Sequence, residues 1–333
     1  MYKAYAAQSA GQPLVAVERE LPALKQDQVV IDVKYCGVCH SDISMLENEW
    51  GLTQFPLVPG HEVFGVISSV GKNVHNLKIG QEVGLGWNSD YCHTCSSCMG
   101  GDHNLCDSAE ITMLGRDGGF AEKVVANASA VMPIPASLDP QSVGPLLCAG
   151  ITVFNPLVQF DIKPTDKVAV VGIGGLGHLA IQFMKAWGCE VTAFTSSEEK
   201  KKEAMDFGAS DTINSRDPED IAKAASRFDY IISTVSAKLD WNLYLSTLKA
   251  KGRLHFVGAT TEPLDISVMP MIFGQKTISA SPVGSPANIE KMLEFAAHHD
   301  IKPVIELFKF DDINDAIERV KSGKARYRVV LER

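Results

Sequence analysis

Several things are missing from this 333-residue chain, and each absence removes a class of function. Charged residues are 21% of the chain, the formal net charge is −9, and no basic run is longer than Lys200-Lys201-Lys202. A nucleic-acid binder would carry a clustered basic face, so that class is disfavoured. No apolar run of membrane-spanning length stands out, and Tyr2 to Gln8 after Met1 lacks the apolar core of a signal peptide. The expectation is a soluble, cytoplasmic protein with no membrane partner. Repeats, low-complexity tracts and flexible linkers are also absent. With 45% apolar residues the chain is globular, and its length suits two domains.

Cysteine is not scarce. There are eight, and in a reducing compartment thiols point to metal or catalysis before disulfides. Cys92, Cys95, Cys98 and Cys106 follow a C-x2-C-x2-C-x7-C spacing within 15 residues. Four thiolates fill a tetrahedral zinc and leave no position open, which marks a structural site. An iron–sulfur cluster is the rival, but the wide last gap and the missing proline after Cys106 depart from the bacterial ferredoxin pattern. Cys39, His61 and Cys148 would make a Cys2His set with one open position, as in a catalytic zinc. Asp42 is placed to accept from the other ring nitrogen of His61 and fix its tautomer. Glu62, next to His61, could approach the metal when the substrate position is empty. Cys36-Gly37-Val38-Cys39 also spells C-x-x-C, but no thioredoxin-like pattern surrounds it. Cys36 and Cys189 read as buried packing residues.

The middle of the chain carries a second signal. Lys167-Val168-Ala169-Val170-Val171 reads as a strand buried on both faces, and Gly172, Gly174 and Gly177 follow at G-x-G-x-x-G spacing. Leu179, Phe183 and Trp187 then recur every fourth residue, as on a helix packed against a sheet. In a strand–turn–helix context this is a dinucleotide-binding turn with a pyrophosphate at the helix N-terminus. Strands are expected at Glu190–Thr195, Asp211–Ile213, Tyr230–Val235, Arg253–Val257 and Thr277–Ala280. Helices are expected after Asp217-Pro218 and near Leu239–Lys249, with Gly208 and Gly252 ending helices. The second strand ends in Thr195-Ser196-Ser197 and lacks the carboxylate that would hold a ribose diol. Those hydroxyls with Lys200 suit a 2′-phosphate, which selects NADP(H). Alternatively, Ser197 only caps the next helix.

In the first part, strands are expected at Tyr2–Ala7 and Val29–Tyr35. The tail reads as a helix at Pro286–His298, a segment Pro303–Phe310, a helix at Asp312–Lys321 and a strand at Tyr327–Leu331. His178 reads as a helix-start residue, and His298 and His299 complement a helix C-terminus. No reason for a histidine at 255, inside a buried strand, is visible in the sequence.

Tyr35 to Asp42 (YCGVCHSD), Val58-Pro59-Gly60-His61-Glu62, the four-cysteine loop and Leu146 to Thr152 (LLCAGIT) together resemble the zinc-dependent medium-chain alcohol dehydrogenases. Within these the chain is most similar to the cinnamyl alcohol dehydrogenase group, over essentially its whole length. The resemblance implies an α/β protein with a GroES-like, mostly-β catalytic domain, residues 1–150 completed by 285–333. It implies a doubly wound Rossmann domain at 151–284 for the cofactor. Two zinc ions per chain and NADP(H) follow. Cys39, His61 and Cys148 would bind catalytic zinc, with Glu62 as alternate ligand. His40 would approach the pyrophosphate, Ser41 would begin the proton relay, and Thr152, Gly175 and Leu176 would join the cofactor contacts with Ser196, Ser197 and Lys200. Trp50, Trp87 and Phe273 would lie near the substrate, and the chain would be a homodimer.

Two departures from the family pattern stand out. Ser44 occupies a position where relatives often have a histidine ending the relay, and serine is no base at neutral pH. The segment between Cys106 and Cys148 is short, trimmed around Ser108–Gly119. The expected activity is NADPH-linked interconversion of aldehydes and primary alcohols, aromatic or allylic. The alternatives are an NAD-linked polyol or aliphatic alcohol dehydrogenase, or a non-catalytic nucleotide-binding homologue.

Overall fold

Gln28–Val38 has valine or isoleucine at 29, 30, 31, 33 and 38 and is buried along most of its length, so it forms the central strand of the first sheet. A computed structural model describes residues 1–260 and 262–333. The chain divides into two units, Met1–Ile151 with Val283–Arg333, and Thr152–Pro282.

In the first unit, the seven-stranded sheet runs Ile305–Lys309, Arg328–Glu332, Gln28–Val38, Val63–Val70, Glu82–Leu85, Val131–Pro133, and Lys123–Asn127 also pairs with Gln28–Val38. The last strand runs antiparallel to the central one with Val329 opposite Val38 and Leu331 opposite Cys36. That register carries Arg328 to the level of Cys39. Tyr2–Ala6 pairs with Val15–Arg19, a strand the sequence reading missed. Its side chains are mostly exposed, so it has no apolar alternation to find. The central strand is longer than expected and includes Cys36. In the tail, Ile305–Lys309 is a strand and the last helix is Ile313–Lys321, entered through a 3-10 turn.

The second unit is a six-stranded parallel sheet in the order Asp211–Asn214, Glu190–Thr195, Lys167–Val171, Phe228–Ser233, Leu248–Phe256, Thr277–Ala280. The strand order reverses between Lys167–Val171 and Phe228–Ser233, where doubly wound sheets bind their ligands. One expectation fails here. Gly252 ends no helix: the helix is only Trp241–Thr247, and Gly252 lies inside the strand that starts at Leu248. Lys251 at φ +64 breaks that strand's regularity, which made its first half unreadable as a strand. Gly208, at φ +108, does follow the helix Glu198–Asp206.

His255 now has a reason to be buried. Its Nδ1 is 2.9 Å from Ser279 Oγ and its Nε2 is 3.0 Å from Ser281 Oγ, so it ties the edge strand to its neighbour. Phe160 and Tyr230 flank the ring.

Among the described residues, one helical stretch, Pro140–Gln159, is long and apolar enough to cross a membrane. Of its most apolar window, 89% is buried inside the protein, as for a core helix.

Candidate functional site

Cys39 follows the central strand directly and stands at the N-terminus of the helix His40–Leu46 in an extended conformation. Asp42, fully buried three residues on, joins two turns. Its Oδ2 accepts from the Cys39 N–H at 2.8 Å, while its Oδ1 accepts from the Gly60 N–H at 2.9 Å. The same Oδ1 lies 3.0 Å from His61 Nδ1. This carboxylate therefore holds a proton on His61 Nδ1 and turns Nε2 toward the cluster. Nε2 is 3.3 Å from Cys148 Sγ. Cys148 sits in a π-helical turn, Leu146–Gly150, the kind of local widening that re-aims a side chain. Its sulfur is 3.9 Å from Cys39 Sγ.

The donor atoms of Cys39, His61, Glu62 and Cys148 all lie within 4.8 Å of one another, and all four residues are buried. Two thiolates bound to one tetrahedral zinc at about 2.3 Å stand ~3.8 Å apart. The donor set and spacing thus fit a metal ion with an open position. Of the two thiols, Cys39 is held well below its usual range by the contact with Cys148, with the Arg328 and His61 charges adding to it. Burial works against a charged His61, but the Asp42 carboxylate outweighs it and raises the ring.

Arg328 is the residue that sequence reasoning missed. Its guanidinium is buried and pairs with Glu62. Burial pushes the Glu62 carboxyl up to about 7, against the pull of Arg328. Glu62 Oε2 has no hydrogen-bond partner among the described residues and faces Gly37, where any Cβ would overlap it. Glycine in the C-G-V-C stretch is thereby explained by the carboxylate that needs its space. The signal for Arg328 was a lone arginine entering an apolar last strand, readable only once that strand is known to lie beside Val38.

Trp87 meets the His61 ring edge-on, with centroids 4.9 Å apart, and Trp50 meets Trp87 at 6.1 Å. Phe273 is a surface residue of the second unit, 82% exposed on the helix Val268–Gly274. Ser41 is half-buried, its Oγ 3.8 Å from Cys39 Sγ, and His40 is exposed at the start of the same helix. Ser44, buried, donates to Glu49 Oε2 at 2.6 Å. The trimmed segment is built into the fold. Glu110–Ile111 pairs with Asn88–Asp90, and Arg116 donates to Ser89 Oγ at 2.7 Å.

The four cysteines of the loop form a second cluster within the same 4.8 Å limit. Cys92 Sγ is 3.9 Å from Cys98 Sγ and accepts from the Cys95 N–H at 3.3 Å, while Cys95 Sγ accepts from the Cys98 N–H at 3.4 Å. Backbone N–H groups of Thr94 and Cys95 pull the Cys92 thiol down to about 5. Four sulfurs with no other donor fit a closed tetrahedral site.

In the second unit the glycines divide the work as their spacing predicts. Gly172 has φ +91, and a Cβ there would overlap Val235. A Cβ on Gly177 would overlap Gly172 O, so helix and turn pack too closely for a side chain. Gly174 has nothing within 4 Å of its Cβ position and leaves open space. The helix Gly177–Trp187 has no side-chain cap at its N-terminus. An uncapped helix end above open space fits a pyrophosphate. Ser197 caps the helix Glu198–Asp206, accepting from the Lys200 N–H at 3.2 Å. Lys200 Nζ reaches Ile173 O at 3.1 Å, which brings its ammonium to the glycine turn, and Ser196 is exposed. Gly175 and Leu176 lie in that turn, and Thr152 is buried in the helix Ile151–Gln159.

Residues 25–136 match the alcohol dehydrogenase GroES-like domain, and residues 175–298 match the zinc-binding dehydrogenase family. An aldehyde reductase from Synechocystis is 57% identical over 331 residues, covering 99% of this chain and 98% of the relative. A cinnamyl alcohol dehydrogenase structure from Sorghum bicolor superposes with a TM-score of 0.96 at 38% identity, covering 99% of this chain and 97% of the other. A second such enzyme, from Helicobacter pylori and complexed with NADP(H), gives 0.90 at 31% identity, again over 99% and 97% of the two chains. The chain belongs to the zinc-dependent medium-chain alcohol dehydrogenases, within their cinnamyl alcohol dehydrogenase group.

Proposed function

We propose that this protein interconverts aldehydes and primary alcohols with NADP(H), and that aromatic and allylic aldehydes are its preferred substrates. The observation that carries the reading is the buried Cys39–His61–Cys148 cluster with Glu62 beside it. When bound there, zinc supplies Lewis acidity toward a carbonyl oxygen, and NADPH supplies the hydride. The residues of the chain do the rest. Cys39, His61 and Cys148 hold the ion, and Asp42 fixes the ring that faces it. Arg328 retains the Glu62 carboxylate beside the cluster.

In the reductive direction Ser41 donates its hydroxyl proton to the substrate oxygen that becomes the alcohol hydroxyl, and takes one back from solvent. Ser44 cannot replace an imidazole, but its hydroxyl is backed by the exposed Glu49 carboxylate, which can exchange with solvent the proton taken up in reduction and released in oxidation. Trp50 and Trp87 supply an apolar wall next to His61, which suits a planar substrate. Cys92, Cys95, Cys98 and Cys106 hold a structural zinc. The glycine turn at 172–177 takes the pyrophosphate, with His40 and Thr152 as further contacts, and Ser196, Ser197 and Lys200 take the 2′-phosphate.

A cytoplasmic homodimer belongs to the same reading. Its supports are eight unpaired cysteines and an exposed apolar patch of Val268, Met269, Ile272 and Phe273, near the edge strand Thr277–Ala280. Phe273 thus suits an interface better than a pocket wall.

Purified protein should oxidise NADPH with cinnamaldehyde or benzaldehyde, at a rate well above that with NADH or with polyols in reverse. A strong NADH preference would overturn the phosphate assignment. No turnover with any aldehyde would favour a nucleotide-binding homologue.

A further inference from the structure

Arg216 is the one arginine of nine whose guanidinium has neither an ion pair nor a ring contact among the described residues. It is exposed, and neither the packing of the second unit nor the cofactor contacts assigned above use it.

Its place in the sheet gives it a use. The edge strand Asp211–Asn214 runs parallel to Glu190–Thr195, with Asn214 opposite Thr195. The ladder continues one residue further, where the Ser215 N–H donates to Thr195 O at 3.1 Å. The chain then turns: Asn214 Oδ1 accepts from the Arg216 N–H at 3.1 Å, and Asn214 O accepts from the Asp217 N–H at 3.1 Å. Arg216 and Ser196 thus leave neighbouring strands at the same C-terminal edge of the sheet. One strand spacing, ~4.8 Å, separates those chain ends, less than an arginine side chain spans.

Charge supplies the second argument. A phosphate monoester carries about −1.5 to −2 at pH 7. Ser196 and Ser197 bring hydroxyls without charge, and Lys201 is engaged by Glu198 at 2.6 Å. Lys200 approaches from the glycine turn, its Nζ 3.1 Å from Ile173 O, which leaves the side toward the edge strand to Arg216. The carboxylates next to Arg216 have other work. Asp217 caps the helix Pro218–Ala222, and Asp220 accepts from the Asn214 N–H at 2.8 Å.

We propose that Arg216 binds the 2′-phosphate of NADP(H) from the edge-strand side, opposite Lys200, and thereby helps select NADPH over NADH. This rests on the NADP(H) reading above. An arginine fork offers a phosphate two parallel N–H donors, a charge-assisted pairing that the free 2′-hydroxyl of NADH cannot replace.

The test is binding and not turnover. Calorimetric titrations of the zinc-loaded wild type, Arg216→Ala and Arg216→Lys use four probes: adenosine 2′,5′-bisphosphate, 5′-AMP, NADPH and NADH. Arg216→Ala should weaken the bisphosphate and NADPH by ~10-fold or more, the size of a lost charge-assisted hydrogen bond, and change 5′-AMP and NADH by less than about twofold. Arg216→Lys keeps the charge without the fork and should recover part of the loss. Unchanged bisphosphate binding in Arg216→Ala, or an equal loss with all four probes, would overturn the proposal while the cofactor assignment stands. A wild type that binds the bisphosphate no better than 5′-AMP would overturn the NADP(H) reading, and this proposal with it.

Discussion

At the scale of single residues, the account depends on groups that fit only one way. Gly37 is the sharpest case, because a Cβ there would overlap Glu62 Oε2. Gly37→Ala should shift Glu62 and its Arg328 partner, costing ~1–3 kcal/mol by overpacking and most of the activity. Thermal unfolding and turnover measured on one preparation check this. An unaffected Gly37→Ala enzyme would remove Glu62 from the site.

His255 makes a separate prediction about pH. Burial, with the Arg253 charge adding to it, pushes the ring down to about 4, whereas an unfolded histidine titrates near 6.5. Between these values the unfolded chain binds more protons, so His255 contributes stability above pH ~6.5 that is lost as pH falls toward 4. The gap corresponds to ~3 kcal/mol. Denaturant unfolding between pH 7 and 4 should show that loss in wild type and a smaller one in His255→Gln. Equal slopes in the two proteins would show that the histidine is not the source.

Elements were legible in the sequence to the extent that their meaning is local. The cysteine loop and the glycine turn were readable because their ligands sit within a few residues of one another. Arg328 was not, since its role depends on an antiparallel register between residues 38 and 329. The same holds for His255, whose partner Ser279 lies in the next strand and whose partner Ser281 directly follows it. Val15–Arg19 was missed because an exposed strand shows no apolar alternation. Gly252 was misread because a glycine inside a kinked strand looks like a helix end.

The glycine turn allows a test with two variants of opposite character. Gly177→Ala should disturb the turn, lowering both stability and NADPH affinity. Gly174→Ala meets nothing within 4 Å, so it should fold normally while its methyl takes up space meant for phosphate. At least a tenfold loss of NADPH affinity without a change in Tm is expected for Gly174→Ala, measured by fluorescence titration. Unchanged affinity there would place the pyrophosphate elsewhere.

For the whole molecule, the exposed Val268–Phe273 face bears on assembly. Phe273→Asp would put a charge in the apolar patch, so sedimentation should find a dimer for wild type and a monomer for this variant. A dimer that survives this change would have to use another face.

The most direct measurement is a zinc count by mass spectrometry of metals, taken with turnover on wild type and on Cys148→Ser. Wild type should hold two zinc ions per chain. Cys148→Ser should keep the one in the four-cysteine loop, unfold at nearly the same temperature, and lose at least ~1000-fold in rate, equivalent to several kcal/mol of Lewis-acid stabilisation. A fully active wild type with a single zinc held only by the loop, or a Cys148→Ser enzyme of unchanged rate, would contradict the account.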